Sequence, residues 1–179
     1  AYDIVNNATV GNVLSSQMTS LKTNDETIAA ITEESPVNRT IKAGFKGTYV
    51  IGSSDDADYS TFTEAVNAMQ EGIEGVVQFE IETGTYYENI FISGIEGTSA
   101  NHSITFTSKA GVNNDVIIAG LPTIPDGIKG VVTIENTNYV TFENITFKPT
   151  NQSYANIIHI KSVSRHFTLR NSILLADIV

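Results

Sequence analysis

The sequence predicts an all-β protein: a right-handed, single-stranded parallel β-helix with a short amphipathic capping helix at about residues 61–71 and a partly helical amino-terminal segment. Three observations predict it. First, within Val131 to Leu175 the chain can be laid over itself with a shift of 27 residues, so that Val140-Thr141-Phe142-Glu143-Asn144-Ile145-Thr146-Phe147 falls on Phe167-Thr168-Leu169-Arg170-Asn171-Ser172-Ile173-Leu174. A repeat of that length, made of short alternating apolar runs without helical periodicity, is the signature of a solenoid whose turns are a few strands each. Second, a polar residue interrupts the apolar runs at intervals near that repeat: Asn89, Asp115, Asn144 and Asn171. Asn tolerates the left-handed backbone of a sharp bend, and its amide can bond the amide of the next turn, so these four are expected to form one structural ladder. Third, a single strong helix signal stands ahead of the strands, where it would cover an open solenoid end.

In chain order, residues 1–46 form an amino-terminal leader or cap segment, rich in Asn, Thr and Ser, with Val13, Leu14, Met18, Leu21, Ile28 and Ile31 at near-helical spacing. A helix is expected between about Val10 and Ile31. Glu33-Glu34-Ser35-Pro36 reads as a boundary, and the segment is either a cap on the first coil or a linker. Residues 47–179 are expected to be the parallel β-helix, the first coils of a longer solenoid. Thr48-Tyr49-Val50-Ile51 is its first short strand, followed by a polar loop. Thr61 then stands as an N-cap with Glu64 three residues later, a capping box, and Phe62, Ala65, Val66 and Met69 make one apolar face before Gly72 stops the helix. The first full coil takes Val76 to Ile81, a turn at Thr83-Gly84-Thr85, and Asn89 to Ile92. Val77, Phe79 and Ile81 alternate with Gln78, Glu80 and Glu82, placing an acidic face outside. A second coil runs through Ile104–Thr107 and Val116–Ile118, and Pro122 and Pro125 mark an excursion before a third coil at Val131.

The residues Asp58-Tyr59-Ser60-Thr61-Phe62-Thr63-Glu64-Ala65-Val66, then Gly84-Thr85-Tyr86-Tyr87-Glu88-Asn89-Ile90, then Ser103-Ile104-Thr105-Phe106, resemble the amino-terminal part of the pectin-lyase-like right-handed parallel β-helix superfamily. The pattern is closest to pectin methylesterase-like and Bacteroidetes secreted β-helix proteins, and it covers about residues 47 to 175. The resemblance implies an extracellular or bacterial cell-surface protein that meets polysaccharide. It also implies, for the esterases, two aspartates, an arginine and a pair of glutamines on later coils. Where the first glutamine motif would lie, this chain has Asn156-Ile157-Ile158-His159-Ile160, and no esterase catalytic residue can be carried over.

Composition narrows the partners. The chain has 179 residues, no Cys and a formal charge of -10. Residues 51–100 hold ten of the twenty acidic side chains and no Lys or Arg. Phosphate binding needs a basic footprint, so nucleic acid is an unsuitable partner, and no apolar run is long enough to cross a bilayer as a helix. Lack of Cys removes disulfides and thiol chemistry without fixing a compartment.

Candidate site residues follow from side-chain chemistry. Tyr86, Tyr87 and Glu88 could stack on a sugar ring and bond its hydroxyls, with one of the two tyrosines turned inward by the strand period. His159 and Lys161 should share an outer face, and Arg165, with His166 and Arg170, could meet an acidic sugar. Asp55, Asp56 and Asp58 offer oxygens to a calcium ion, but they lack the glycine and distal glutamate of a calcium loop, and no cofactor is otherwise indicated. No Ser-His-Asp set, phosphate loop or HExxH is present.

Two functions remain open at this level. One is a secreted or surface domain that binds or helps process polysaccharide, with its catalytic residues elsewhere. The other is a non-enzymatic adhesin or structural stalk. Two carboxylates and an Arg or Lys clustered within hydrogen-bond reach on one outer face would favour the first, and scattered Thr, Asn and Lys the second. The apolar run Ile173 to Val179 is expected to leave a strand edge that further coils, or a second chain, must cover. Light scattering of the 179-residue chain should therefore report association as concentration rises; a clean monomer at high concentration would count against it.

Overall fold

The computed structural model describes residues 44–121, 130–150 and 156–176, all within the compact unit Ala43–Val179. The helix expected between Val10 and Ile31, the excursion at Pro122 and Pro125, and Asp177 to Val179 lie outside the described residues.

Among the described residues the strands are β1 (Phe45–Ile51), β2 (Ile73–Ile81), β3 (Gly84–Tyr87), β4 (Ile90–Ser93), β5 (Ile104–Ser108), β6 (Val116–Ala119), β7 (Gly130–Glu135), β8 (Val140–Glu143), β9 (Thr146–Lys148), β10 (Asn156–Lys161), β11 (Thr168–Arg170) and β12 (Ile173–Leu174), with one helix, α1 (Phe62–Ala68), between β1 and β2. Consecutive strands do not pair with each other. Each pairs in parallel with the strand one turn away, giving three sheets of order β1-β2-β5-β8-β11, β3-β6-β9-β12 and β4-β7-β10. This is a parallel β-solenoid. The 27-residue self-match is its physical register: Thr168 pairs with Thr141, Arg170 with Glu143 and Ile173 with Thr146.

Inward residues of each strand stack on their counterparts in the next turn. In the first sheet Tyr49, Phe79, Phe106, Phe142 and Leu169 occupy one register position. The rings of Phe79 and Phe106 lie 4.8 Å apart and those of Phe106 and Phe142 4.9 Å apart, nearly parallel at 15° and 12°. That spacing is the strand separation itself, so pairing and ring stacking reinforce one register. Ile90, Ile92, Val132 and Ile134 fill the third sheet's inner face, and Val116, Ile118 and Phe147 the second's.

Helix α1 begins as its sequence demands. Thr61 Oγ1 accepts from the Glu64 N–H at 3.1 Å, and the Glu64 carboxylate accepts from the Ser60 N–H at 2.9 Å. Phe62, Ala65, Val66 and Met69 are buried, with the Phe62 ring packed on Phe106 and edge-on to Tyr86. The helix thus covers core rings near the first turn, and it ends at Ala68, three residues earlier than the sequence suggests. Gly72, at φ +93, turns the chain into β2.

Three expectations need correction. Gly84 and Thr85 are strand residues of β3, so the turn after β2 is tighter than expected and lies at Glu82-Thr83. β7 does not open a third coil; it pairs with β4 and closes the second. The ladder of four is also divided. Asp115, Asn144 and Asn171 stand at the bend between first and second sheets, but Asn89 lies between β3 and β4, at the next bend. A coil has several sharp bends, and Asn suits each of them, so near-repeat spacing alone does not assign one. Asn144 and Asn171 are left-handed, at φ 56 and φ 49, yet Asn144 turns its amide toward Thr107 Oγ1 (3.5 Å), and the backbone Asn144 N–H to Arg170 carbonyl bond joins the turns there.

The core stack generates a graded expectation. Phe106→Ala should cost about 3–5 kcal/mol, whereas Thr105→Ala, one residue away on the outer face, should stay within about 0.5 kcal/mol, both measured by urea denaturation.

Candidate functional site

Of the sequence's aromatic and acidic candidates, Tyr86, Glu88 and Asp58 are engaged in contacts within the fold. Tyr86 points inward and half-buried, its hydroxyl donating to the Glu82 carbonyl at 2.9 Å and the Ile51 carbonyl at 3.3 Å. Burial, then the Glu82 and Glu88 charges, push its phenol up to about 12. Glu88 accepts from the Phe62 and Thr63 N–H groups, both at 3.0 Å, and from the Thr63 hydroxyl, so its charge serves the start of α1. Tyr87 alone of the three is open, 63% exposed on the outer face of the second sheet. The proposed Tyr86-Tyr87-Glu88 platform is not assembled.

Among the described residues no three His, Asp or Glu side chains are grouped to hold a metal ion. Asp58 instead accepts from the Val50 N–H at 2.7 Å, closing the loop after β1, while Asp55 and Asp56 are exposed. Glu82 holds the other side of that loop. Its carboxylate accepts from the Ser53 and Ser54 N–H groups and from the Ser54 hydroxyl at 2.6 Å, and lies 3.5 Å from the Lys109 ammonium. Those bonds, the Ser54 hydroxyl first, hold its carboxyl below the usual range.

Arg165 sits in the turn after β10, where its N–H donates to Asn138 Oδ1 at 2.8 Å. The His166 ring stacks on Tyr139 at 4.3 Å, and Arg170 pairs with Glu143 at 2.8 Å. The basic triplet is therefore spread over separate contacts.

His159 and Lys161 are brought into company on the third sheet. Register aligns Phe91, Thr133 and His159 in one row, and Ser93, Glu135 and Lys161 in the next. All six alternate with the inward Ile90, Ile92, Val132, Ile134, Ile158 and Ile160, so all belong to the outer face. The Lys161 ammonium lies 3.1 Å from Glu135 and 5.8 Å from the centre of the Phe91 ring. β7 is the middle strand, so the Lys161 stem must cross it to reach Phe91. Glu135 is held below the ordinary carboxyl range by the Lys161 hydrogen bond first, then by Ser162 and the His159 and Lys161 charges, against the opposing effect of burial. Phe91 is 40% exposed, an open aromatic surface beside charged and hydroxyl groups.

Phe91, Thr133 and Glu135 were not legible as site residues. Phe91 reads as core in an apolar run, and the 42 residues from Phe91 to Thr133 conceal their alignment behind an insertion. The usable signal was a pair of outward residues in each strand flanking an isoleucine: Phe91/Ser93, Thr133/Glu135 and His159/Lys161.

Chemically, this face offers an aromatic surface, an ion pair, an imidazole and hydroxyls. It holds one carboxylate, and the two carboxylates with a cation that would favour catalysis are not assembled there. The first sheet's outer face has Glu80 and Glu143 two strands apart with Thr107 between them in register, and Arg170 serves only Glu143. Among the described residues no helix is long and apolar enough to cross a membrane. No family model matches the chain, and no curated protein or solved structure does either. What defines the molecule is thus its own geometry: a parallel β-solenoid with a mixed aromatic and polar outer face.

The lowered Glu82 carboxyl sets a pH expectation. A depressed folded pKa adds stability that is present above the unfolded carboxyl range and is lost as pH falls through the folded value. Thermal unfolding across a pH series should show Glu82→Gln melting below the natural protein at neutral pH, with the gap closing in acid. A gap independent of pH would contradict the role given to Glu82.

Proposed function

We propose that this chain is the solenoid part of a secreted or cell-surface β-helix protein that binds polysaccharide along the outer face of its third sheet. The observation that carries this is the alignment of Phe91, Thr133 and His159 beside Ser93, Glu135 and Lys161 on one face. Open aromatic rings pack on the apolar face of a sugar ring, and polar groups around them bond its hydroxyls. The resemblance of residues 47 to 175 to pectin-lyase-like proteins supports the same reading. The acidic character of the chain favours a neutral glycan over a polyanion. The reading is one of binding rather than bond cleavage, since one carboxylate stands in the cluster.

A second reading, the structural stalk or adhesin, is favoured by a separate observation. The last strands β10, β11 and β12 lie at sheet edges, and the inward-facing Ile160 and Leu174 are 42% and 47% exposed, where counterparts a turn earlier are buried. Such an edge suits a further β-coil, of the same or a second chain, paired in the same parallel register. Stacking of coils and glycan binding on a side face are compatible.

The test is calorimetric titration of the 179-residue chain with cellohexaose, xylohexaose and mannohexaose, with oligogalacturonate as the charged comparator. A neutral hexaose should bind, Phe91→Ala should weaken it by roughly tenfold, and Tyr87→Ala, on the second sheet, should leave it unchanged. Equal weakening by both substitutions, or binding of oligogalacturonate alone, would overturn the assignment.

A further inference from the structure

The third sheet carries two polar atoms that the fold leaves uncompensated. Thr133 is 0% exposed, and its hydroxyl Oγ1 has no hydrogen-bond partner; nor has His159 Nδ1, which is also shut off from solvent. Thr133 and His159 are register partners on the adjacent strands β7 and β10, about 4.8 Å apart along the sheet. Both point to the outer face. Ser108, the remaining side chain in this condition among the described residues, faces the interior of the coil instead.

Nearly every buried polar group in a folded protein is paired, because an unpaired one loses its bonds to water and gains none. Elsewhere this solenoid satisfies such groups carefully. Thr137 Oγ1 accepts from the Ile95 N–H and donates to the Glu135 carbonyl; one turn on, Ser164 Oγ accepts from the Thr137 N–H and donates to the Lys161 carbonyl. Two unpaired atoms side by side on the face with the open aromatic ring therefore stand out. Rules of polar satisfaction are broken chiefly where function needs the atoms free.

We propose that Thr133 Oγ1 and His159 Nδ1 form a recognition pair for one hydroxyl group of a neutral glycan, which bridges them when the Lys161 side chain is displaced. The proposal rests on the glycan reading of this face and assigns its specificity. A hydroxyl suits the pair because it both donates and accepts, so it fits whichever tautomer His159 adopts. Two hydrogen bonds of ordinary length, meeting at one oxygen, span the separation of adjacent strands. One side chain that lies over this part of β7 is displaceable. Lys161 crosses β7 to reach Phe91 and Glu135, and a partly exposed ion pair with a cation–π contact is a weak restraint. Its departure frees the Phe91 ring to pack on the sugar whose hydroxyl enters below.

The test combines binding and stability. Thr133→Val keeps the shape and removes the hydroxyl, Thr133→Ser keeps the hydroxyl, and each is titrated with the neutral hexaose that binds the natural protein best, with thermal midpoints measured in parallel. Thr133→Val should weaken binding by about tenfold or more while its midpoint stays equal or rises, because no bond is lost in the free protein. Thr133→Ser should retain most of the affinity. Unchanged binding in Thr133→Val, with Phe91→Ala still weakened, would overturn the recognition pair and leave the glycan face standing. That is also the result expected if the two atoms serve only an enclosed water. A fall in the Thr133→Val midpoint would overturn it too, by showing the hydroxyl already engaged. If none of the neutral hexaoses binds the natural protein, the glycan reading falls and the pair with it.

Discussion

Everything in this solenoid depends on one coincidence of lengths. The distance between hydrogen-bonded strands is also a favourable distance for stacked aromatic rings, and Phe79, Phe106 and Phe142 realise both at once. A slip of one residue would turn the whole inward set toward water, so the ring column enforces register far more strongly than the parallel backbone bonds alone. Loops between turns can then vary in length. The step from Phe79 to Phe106 is 27 residues and that from Phe106 to Phe142 is 36, yet the two ring contacts are alike.

The acidic block acquires a meaning from this arrangement. Ten carboxylates in residues 51–100 suggest a charged surface, but three of the best-placed are consumed by backbone. Glu82 holds the Ser53–Ser54 loop, Glu88 caps α1 from the bend after β3, and Asp58 closes the bend after β1. Parallel strands require long connections, and their exposed N–H groups must find acceptors. Glu82 and Glu88 supply them from one turn away, and Asp58 from within the same turn. The same demand is met at later bends by hydroxyls, where Thr137, Ser164 and Ser172 accept N–H groups of neighbouring turns.

Against that background the third sheet is distinct. Its outer face spends its polar groups on each other, through Glu135, Lys161 and Ser162, and leaves Thr133 Oγ1 and His159 Nδ1 without hydrogen-bond partners. A face that stabilises itself weakly while exposing an aromatic ring is suited to exchange internal contacts for external ones. The first sheet's outer face, with Glu143 paired to Arg170, and the bends that lead into it, with Tyr139 stacked on His166, are more fully committed to their own structure.

By itself the sequence determined the parallel solenoid, the inward and outward sets of β2, the cap at Thr61 and the register of the last two turns. These follow from local rules: a period of two along a strand, a capping box, and a repeat short enough to see by shifting the chain. Only the tertiary structure decided which bend each Asn occupies, that Glu88 accepts from the first N–H groups of a helix, and that Phe91, Thr133 and His159 form one row. Those facts depend on which turn lies above which. Insertions of unequal length between strands break the arithmetic of spacing, as between Phe91 and Thr133, while leaving the stacking of the strands intact. Spacing along the chain is a local quantity; adjacency across a sheet is set by the packed core that the turns share.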